Sequence, residues 1–152
     1  MKNLLLIFTL AFSFTALADE TITIPSIMVR MESDTFARPV INKKNTSLTL
    51  VKRVQEDRWD MPASLATVSK GILKLSEEKS NTVLVIAATK VEDVDFETGL
   101  PTVRYSVSYM LNGVDMGGVS SMKNLIGFSL SNKAKPVKYM GETATPVAYL
   151  DF

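Results

Sequence analysis

The residues best suited to chemistry are four acids in one short stretch, Glu92, Asp93, Asp95 and Glu97. Asp93-x-Asp95-x-Glu97 has the spacing with which a calcium loop begins, oxygen ligands at alternate positions around a hard cation. The helical version of that loop needs glycine at its sixth position and a bidentate glutamate at its twelfth. Those places hold Thr98 and Arg104. Asp93, Asp95 and Glu97 are therefore a candidate calcium or magnesium site resting on an incomplete motif. The acids at 92–97 also offer a carboxylate pair for hydrolysis of the glycosidic kind, which requires a substrate cleft that the sequence does not display. The plainest role for acids so placed is a solvated hairpin tip that discourages edge-to-edge pairing.

Other chemistries are bounded by what the chain lacks. It has no histidine and no cysteine, which excludes Ser-His-Asp and Cys-His catalysis, the common zinc sites and cysteine redox chemistry. Ser76-x-x-Lys79 has the spacing of serine acyl enzymes, but the partner motifs Ser-Asp-Asn and Lys-Thr-Gly are missing, so it reads as a charged turn. Thioethers raise the question of copper(I). On strands, however, Met28 and Met31 point to opposite faces, as do Met110 and Met116 across their turn, so the methionines read as core filler. No catalytic residue is assigned, and no cofactor is indicated beyond calcium.

Three aromatic residues are candidates for contacting a partner: Trp59, Tyr105 and Tyr109. Tyr105 and Tyr109 share a strand face with Val107, a stripe that packs in a core with its hydroxyls at the rim or meets a sugar ring or protein partner. Trp59 stands among charges in Asp57-Arg58-Trp59-Asp60, as an anchor to the sheet or a recognition residue.

These groups are positioned by one long stretch, Thr82–Leu111. Val103, Tyr105, Val107, Tyr109 and Leu111 alternate with more polar neighbours, the period-two signature of a strand. Val83–Ala88 is apolar on both faces, as in an interior strand. The pattern predicts an antiparallel hairpin with Val91 opposite Tyr105, which places Val85, Val107 and Tyr109 on one apolar face. Asn112-Gly113 then predicts a tight type I′ turn into a strand over Val114–Met122.

Upstream, Thr21–Glu32 reads as a strand whose apolar parity changes at Pro25-Ser26, where a bulge would restore register. Ser33–Asn45 reads as a polar connection and Thr46–Glu56 as a second strand. In Asp60–Leu75, Met61, Leu65, Val68, Ile72 and Leu75 recur at helical spacing, with Asp60 as cap and Pro62 in the first turn. Gly71, Thr67 and Val68 favour the alternative, a strand over Ile72–Leu75. Downstream strand candidates are Leu125–Leu130, Val137–Met140 and Val147–Phe152. The expected fold is mainly β or α+β: an antiparallel sandwich or open barrel of about seven or eight short strands, with at most one helix near 61–75.

Residues 1–18 carry Lys2, an apolar run over Leu4–Leu17 and a small-x-small end at Ala16-Leu17-Ala18, the pattern of a cleavable signal peptide before a single domain over 19–152. Cleavage would remove one lysine and no acid, balancing the 17 basic and 16 acidic residues. A neutral chain has no global field to steer it to nucleic acid. An exported protein without cysteine must be stabilised by its core, which fits a bacterial envelope; against that reading, Asn45-Thr46-Ser47 is discounted as a chance sequon. The expected function is a non-enzymatic envelope domain, periplasmic or secreted, binding a protein, glycan or lipid through a sheet face or loops. One alternative is a small outer-membrane barrel ending at Phe152; the other is the hydrolase at 92–97.

Overall fold

The computed structural model describes residues 19–54 and 66–152. Among these the chain forms nine strands and no helix: β1 (Glu20–Glu32), β2 (Ala37–Val54), β3 (Thr67–Glu77), β4 (Thr82–Val94), β5 (Pro101–Leu111), β6 (Val114–Ser121), β7 (Ser129–Lys133), β8 (Val137–Tyr139) and β9 (Glu142–Asp151). All pairing is antiparallel, in the order β6-β5-β4-β3-β2-β1-β9-β7, with β8 on β9. The two ends of this order approach each other, and the Asn132 side-chain amide of β7 donates to the Met116 carbonyl of β6 at 3.0 Å. The sheet is thus rolled nearly into a barrel, the mainly-β antiparallel architecture that the alternating patterns predict.

β2 makes the roll possible. It pairs with β1 from Ala37 to Leu50 and with β3 only from Val51 to Val54, so one strand turns a corner between two layers. Where β2 crosses β3, a Cβ on Gly71 would lie well under 3.0 Å from the Thr49 carbonyl oxygen. Only glycine permits that approach. A second corner lies in β6, where Met116 and Gly117 together face Tyr109 between the pairs Ser108↔Gly118 and Met110↔Asp115, a bulge with Gly117 at φ 92.

The β5–β6 turn is as expected. Asn112 and Gly113 have φ 53 and 78, the positive values a type I′ turn requires. The same geometry recurs at Met140-Gly141, with φ 52 and 84, between β8 and β9. Pro146 sits inside β9 without disrupting it. Its carbonyl accepts from Ala134 beyond the end of β7. The position of its missing N–H therefore points to the same gap, away from β1.

Several expectations are corrected. Tyr105 pairs with Lys90, not Val91, so even residues of β4 share a face with odd residues of β5. Leu84, Ile86 and Ala88 join Val107, Tyr109 and Leu111 in the core, and Val85 lies on the other face. Val83–Ala88 is apolar on both sides, so its pattern could not choose between the two registers. The helical stripe over 60–75 is strand from Thr67 onward; residues 60–65 lie outside the described residues. Pairing of Thr67–Glu77 with β4 along its whole length outweighs the 3.6-residue spacing, as the β-branched Thr67 and Val68 and the glycine favoured. The connection 33–45 is largely strand, because β2 begins at Ala37, and the segment Leu125–Leu130 becomes strand only at Ser129.

The parity change in β1 is real, since Ile24 and Ile27 are both fully buried. It occurs without a register slip at that point. Ile24↔Thr46 and Ser26↔Lys44 continue one register, leaving out Pro25 and its opposite number Asn45, which is left-handed at φ 49. Both strands turn over together there, and the register shift comes later, at Val29/Arg30.

Candidate functional site

The inward faces of β4 and β5 are apolar at one end of the barrel and become polar at the other. On β4 the buried Leu84, Ile86 and Ala88 are followed by Lys90 and Glu92; on β5 the buried Leu111, Tyr109 and Val107 are followed by Tyr105. Strand alternation places all of these on one face. Two charges and a phenol therefore look inward at the mouth where β1 begins. Glu20, the first residue of β1, meets them from across the barrel. Its carboxylate accepts from the Lys90 ammonium at 2.6 Å and from the Tyr105 hydroxyl at 3.0 Å. Lys90 also lies 3.2 Å from the Glu92 carboxylate and 5.7 Å from the centre of the Tyr105 ring, within cation–π range.

Each group is held in the protonation state it has at neutral pH. For Glu20, partial burial is the largest single influence and works to raise the pKa, but the hydrogen bonds from Lys90 and Tyr105 together leave the carboxyl below its ordinary range. Lys90 is pushed upward by its hydrogen bond to Glu20, against partial burial. Burial, then the Glu20 carboxylate, raises Tyr105. The network is thus ionised Glu20, ammonium Lys90 and a protonated phenol.

The pH dependence follows by linkage. A carboxyl with a depressed folded pKa adds stability above its ordinary value of 4.5, and that contribution is lost as pH falls through the lower folded value. Glu20→Gln should therefore be less stable than the parent at about pH 6, by about 1 kcal/mol for a partly exposed pair. The difference should shrink as pH falls below 4.5 and through the lower folded value. Urea midpoints across that range test this, and a difference independent of pH would remove the ion pair from the account.

Beside the network is a cavity of about 280 Å³ lined by Glu20, Ile22, Thr23, Tyr105, Asn124, Leu125, Ile126 and Phe152. Its floor is fixed by the way the chain ends. β9 stops pairing with β1 at Ser26↔Asp151, so Glu20–Ile24 has no β9 neighbour, and the β6–β7 connection fills part of that space. Gly127 donates to the Phe152 carbonyl at 2.5 Å and Phe152 donates back to Phe128 at 2.8 Å. These bonds bury the side chains of Leu125 and Phe152. The Asn124 side-chain oxygen accepts from the Ile126 amide at 3.2 Å, leaving Ile126 at the cavity wall but 80 % exposed.

Of the sequence candidates, Tyr105 lies in this site. Tyr109 is 2 % exposed and packs in the core, and Trp59 lies outside the described residues. Asp93, Asp95 and Glu97 stand at the β4–β5 turn. The Asp95 carboxylate accepts from the amides of Glu97 at 2.9 Å and Thr98 at 2.8 Å, and these bonds, Thr98 first, lower its pKa. Asp93 accepts from the adjacent Val94 amide at 2.8 Å. Among the described residues no three acids gather in a metal-holding group. Ser76 is exposed on β3 and Lys79 lies in the β3–β4 turn.

Sequence reasoning missed Glu20, Lys90, Leu125 and Ile126. A signal existed for Lys90, which continues the even parity of Leu84, Ile86 and Ala88 and so belongs inside once the register is known. Glu20 carried none, because its partners are 70 and 85 residues away. In comparisons with known proteins, no family model, curated protein or solved structure matches this chain significantly.

Proposed function

We propose that this protein is an exported, non-enzymatic binding domain of the cell envelope and that its site is the mouth of the barrel beside Glu20 and Tyr105. The observation that carries the reading is the cavity of about 280 Å³. Its walls are mostly apolar, and beside it lies a fixed ion-pair network. That combination suits an apolar group of a ligand, oriented by a few polar contacts. The volume is at the small end for such sites, enough for a ring or a short alkyl chain.

The alternatives draw less support. A membrane barrel needs an outward apolar band and a polar lumen. Here the interior is filled by residues such as Leu84, Ile86 and Leu111, while Thr21, Lys70, Lys74, Arg104 and Ser108 face out and are exposed. For a hydrolase at 92–97, the Asp93 and Asp95 carboxylates are engaged by amides of their own turn.

A neutral eight-carbon alcohol, titrated into the isotope-labelled protein, should shift the amide resonances of Ile22, Thr23, Leu125 and Ile126. Ile22→Trp, which enlarges a half-buried side chain on the inward face of β1 at the cavity wall, should fill the cavity and abolish those shifts. Unmoved resonances in the parent, or identical shifts in the variant, would overturn the reading. Export is tested by the amino terminus of the envelope protein, expected at Asp19; soluble cytoplasmic protein retaining Met1 would refute it.

A further inference from the structure

The mouth is larger than its cavity. From the Lys90↔Tyr105 pair to Val94↔Pro101 the β4–β5 hairpin runs on for four more residues, roughly 13 Å at strand rise. Beyond them the turn carries Phe96, 87 % exposed, and Leu100. On the β6–β7 connection Met122, Ile126 and Phe128 are also exposed. Large apolar side chains thus stand on the turns at one end of the barrel, with the cavity opening beside Ile126. Single exposed apolar residues need no explanation, but a group of them around a pocket marks a contact surface.

A molecule small enough to lie within the cavity would leave Phe96 and Leu100 in water. Covering both needs a ligand that enters the cavity and continues along the hairpin. Among the described residues the charge around this path is acidic. Asp93, Asp95 and Glu97 flank Phe96, and Glu20 and Glu92 lie within the mouth. Among the nearby cations, Lys90 is engaged by Glu20 and Glu92, Lys52 and Lys123 lie on β2 and the β6–β7 connection, and Arg104 faces outward on β5. The Glu20 carboxylate accepts two hydrogen bonds in this network, which leaves it capacity for another donor. An anionic bilayer would be repelled at the level where Phe96 would have to insert.

We infer, building on the proposed binding role of this mouth, that its partner is a basic polypeptide segment, which places one aliphatic or aromatic side chain in the cavity and lays lysine- or arginine-bearing flanks along the Asp93–Glu97 turn. The apolar anchor supplies affinity and the acidic turn supplies selectivity, since charge complementarity steers encounter and rejects like-charged partners.

The test uses the full chain and three short fluorescent peptides sharing one phenylalanine and one leucine but flanked by lysine, serine or glutamate. Anisotropy should show the lysine-flanked peptide binding at least about tenfold more tightly than the glutamate-flanked one, with the difference reduced at high salt. Phe96→Ser should weaken all three peptides. Combined Asp93→Asn, Asp95→Asn and Glu97→Gln should remove the preference, bringing the lysine- and glutamate-flanked peptides to similar affinity, because the turn loses its charge while the carboxamide introduced at position 95 retains an oxygen for the turn amides. Equal affinity for the lysine and glutamate peptides, or no binding of any, overturns the inference. So does stronger association with anionic than with neutral phospholipid vesicles. The alcohol titration separates the two levels: if alcohol enters the cavity and the peptides show no preference, the partner assignment fails and the binding mouth stands. If alcohol does not enter, the mouth itself is wrong.

Discussion

Truncating Tyr109 to alanine is expected to cost about 3–5 kcal/mol of stability, the range for removing a large aromatic side chain from a packed interior. Tyr109 is 2 % exposed at the centre of β5, inside the barrel between the Ile86 strand position and the bulge at Met116-Gly117. Little can collapse into the space it leaves, since both flanking strands are held by pairing on either side. Val107→Ala, two residues along the same face, should cost about 1–3 kcal/mol for a smaller loss of volume. Ser106→Ala is the control. Ser106 belongs to the outer face, in a row with Thr89 and Ser120, and its loss should fall within about 0.5 kcal/mol. Urea denaturation of the three variants measures the contrast. If Ser106→Ala proved as damaging as Tyr109→Ala, the outer face would be covered and the one-layer description of β5 would fail.

The second large effect is steric. Gly71→Ala places a methyl group well under 3.0 Å from the Thr49 carbonyl oxygen and 3.0 Å from Leu50 Cδ2. The nearer obstacle is backbone, which cannot swing aside as a side chain can. The variant must separate β2 from β3 at the corner where the two layers meet. A loss of at least about 2–3 kcal/mol is expected, at the upper end of ordinary overpacking. Gly118→Ala meets the Val107 carbonyl oxygen just as closely and should behave alike. Gly99→Ala has open space around its Cβ but a φ of +68, so it should show only the cost of a left-handed alanine, about 1 kcal/mol. Denaturation midpoints in the order Gly99→Ala above Gly71→Ala would support the close crossing; the reverse order would mean that the layers are looser than described.

The register of the central hairpin separates what periodicity can supply from what it cannot. Alternation in Val103–Leu111 named one face of β5 correctly. In β4 both parities are apolar through Ala88, and the sequence decides between them only at Lys90 and Glu92. The natural guess sends those two charges outward. They turn inward instead, because Glu20 arrives across the barrel to meet Lys90 at 2.6 Å. A half-buried lysine is tolerable when it is paired and hydrogen-bonded. The partner was invisible in the local pattern, and so the site was too. The stripe over 60–75 failed for a related reason. Spacings of three and four residues fit a helix, but the strand from Thr67 onward acquires a full ladder with β4, and pairing outweighs a weak local preference.

By itself the sequence determined the kind of fold, the Asn112-Gly113 turn, the parity change at Pro25 and the exclusion of histidine and cysteine chemistry. These depend on residue type and near-neighbour spacing, which backbone sterics and strand alternation convert directly into structure. Tertiary structure alone decided which face of β4 is the inside, that Thr67–Glu77 is a strand, and that Glu20, Lys90, Tyr105, Leu125, Ile126 and Phe152 share one mouth. Each depends on contacts between residues far apart in the chain, and the free energy of such contacts is set by the closure of the sheet rather than by any local pattern.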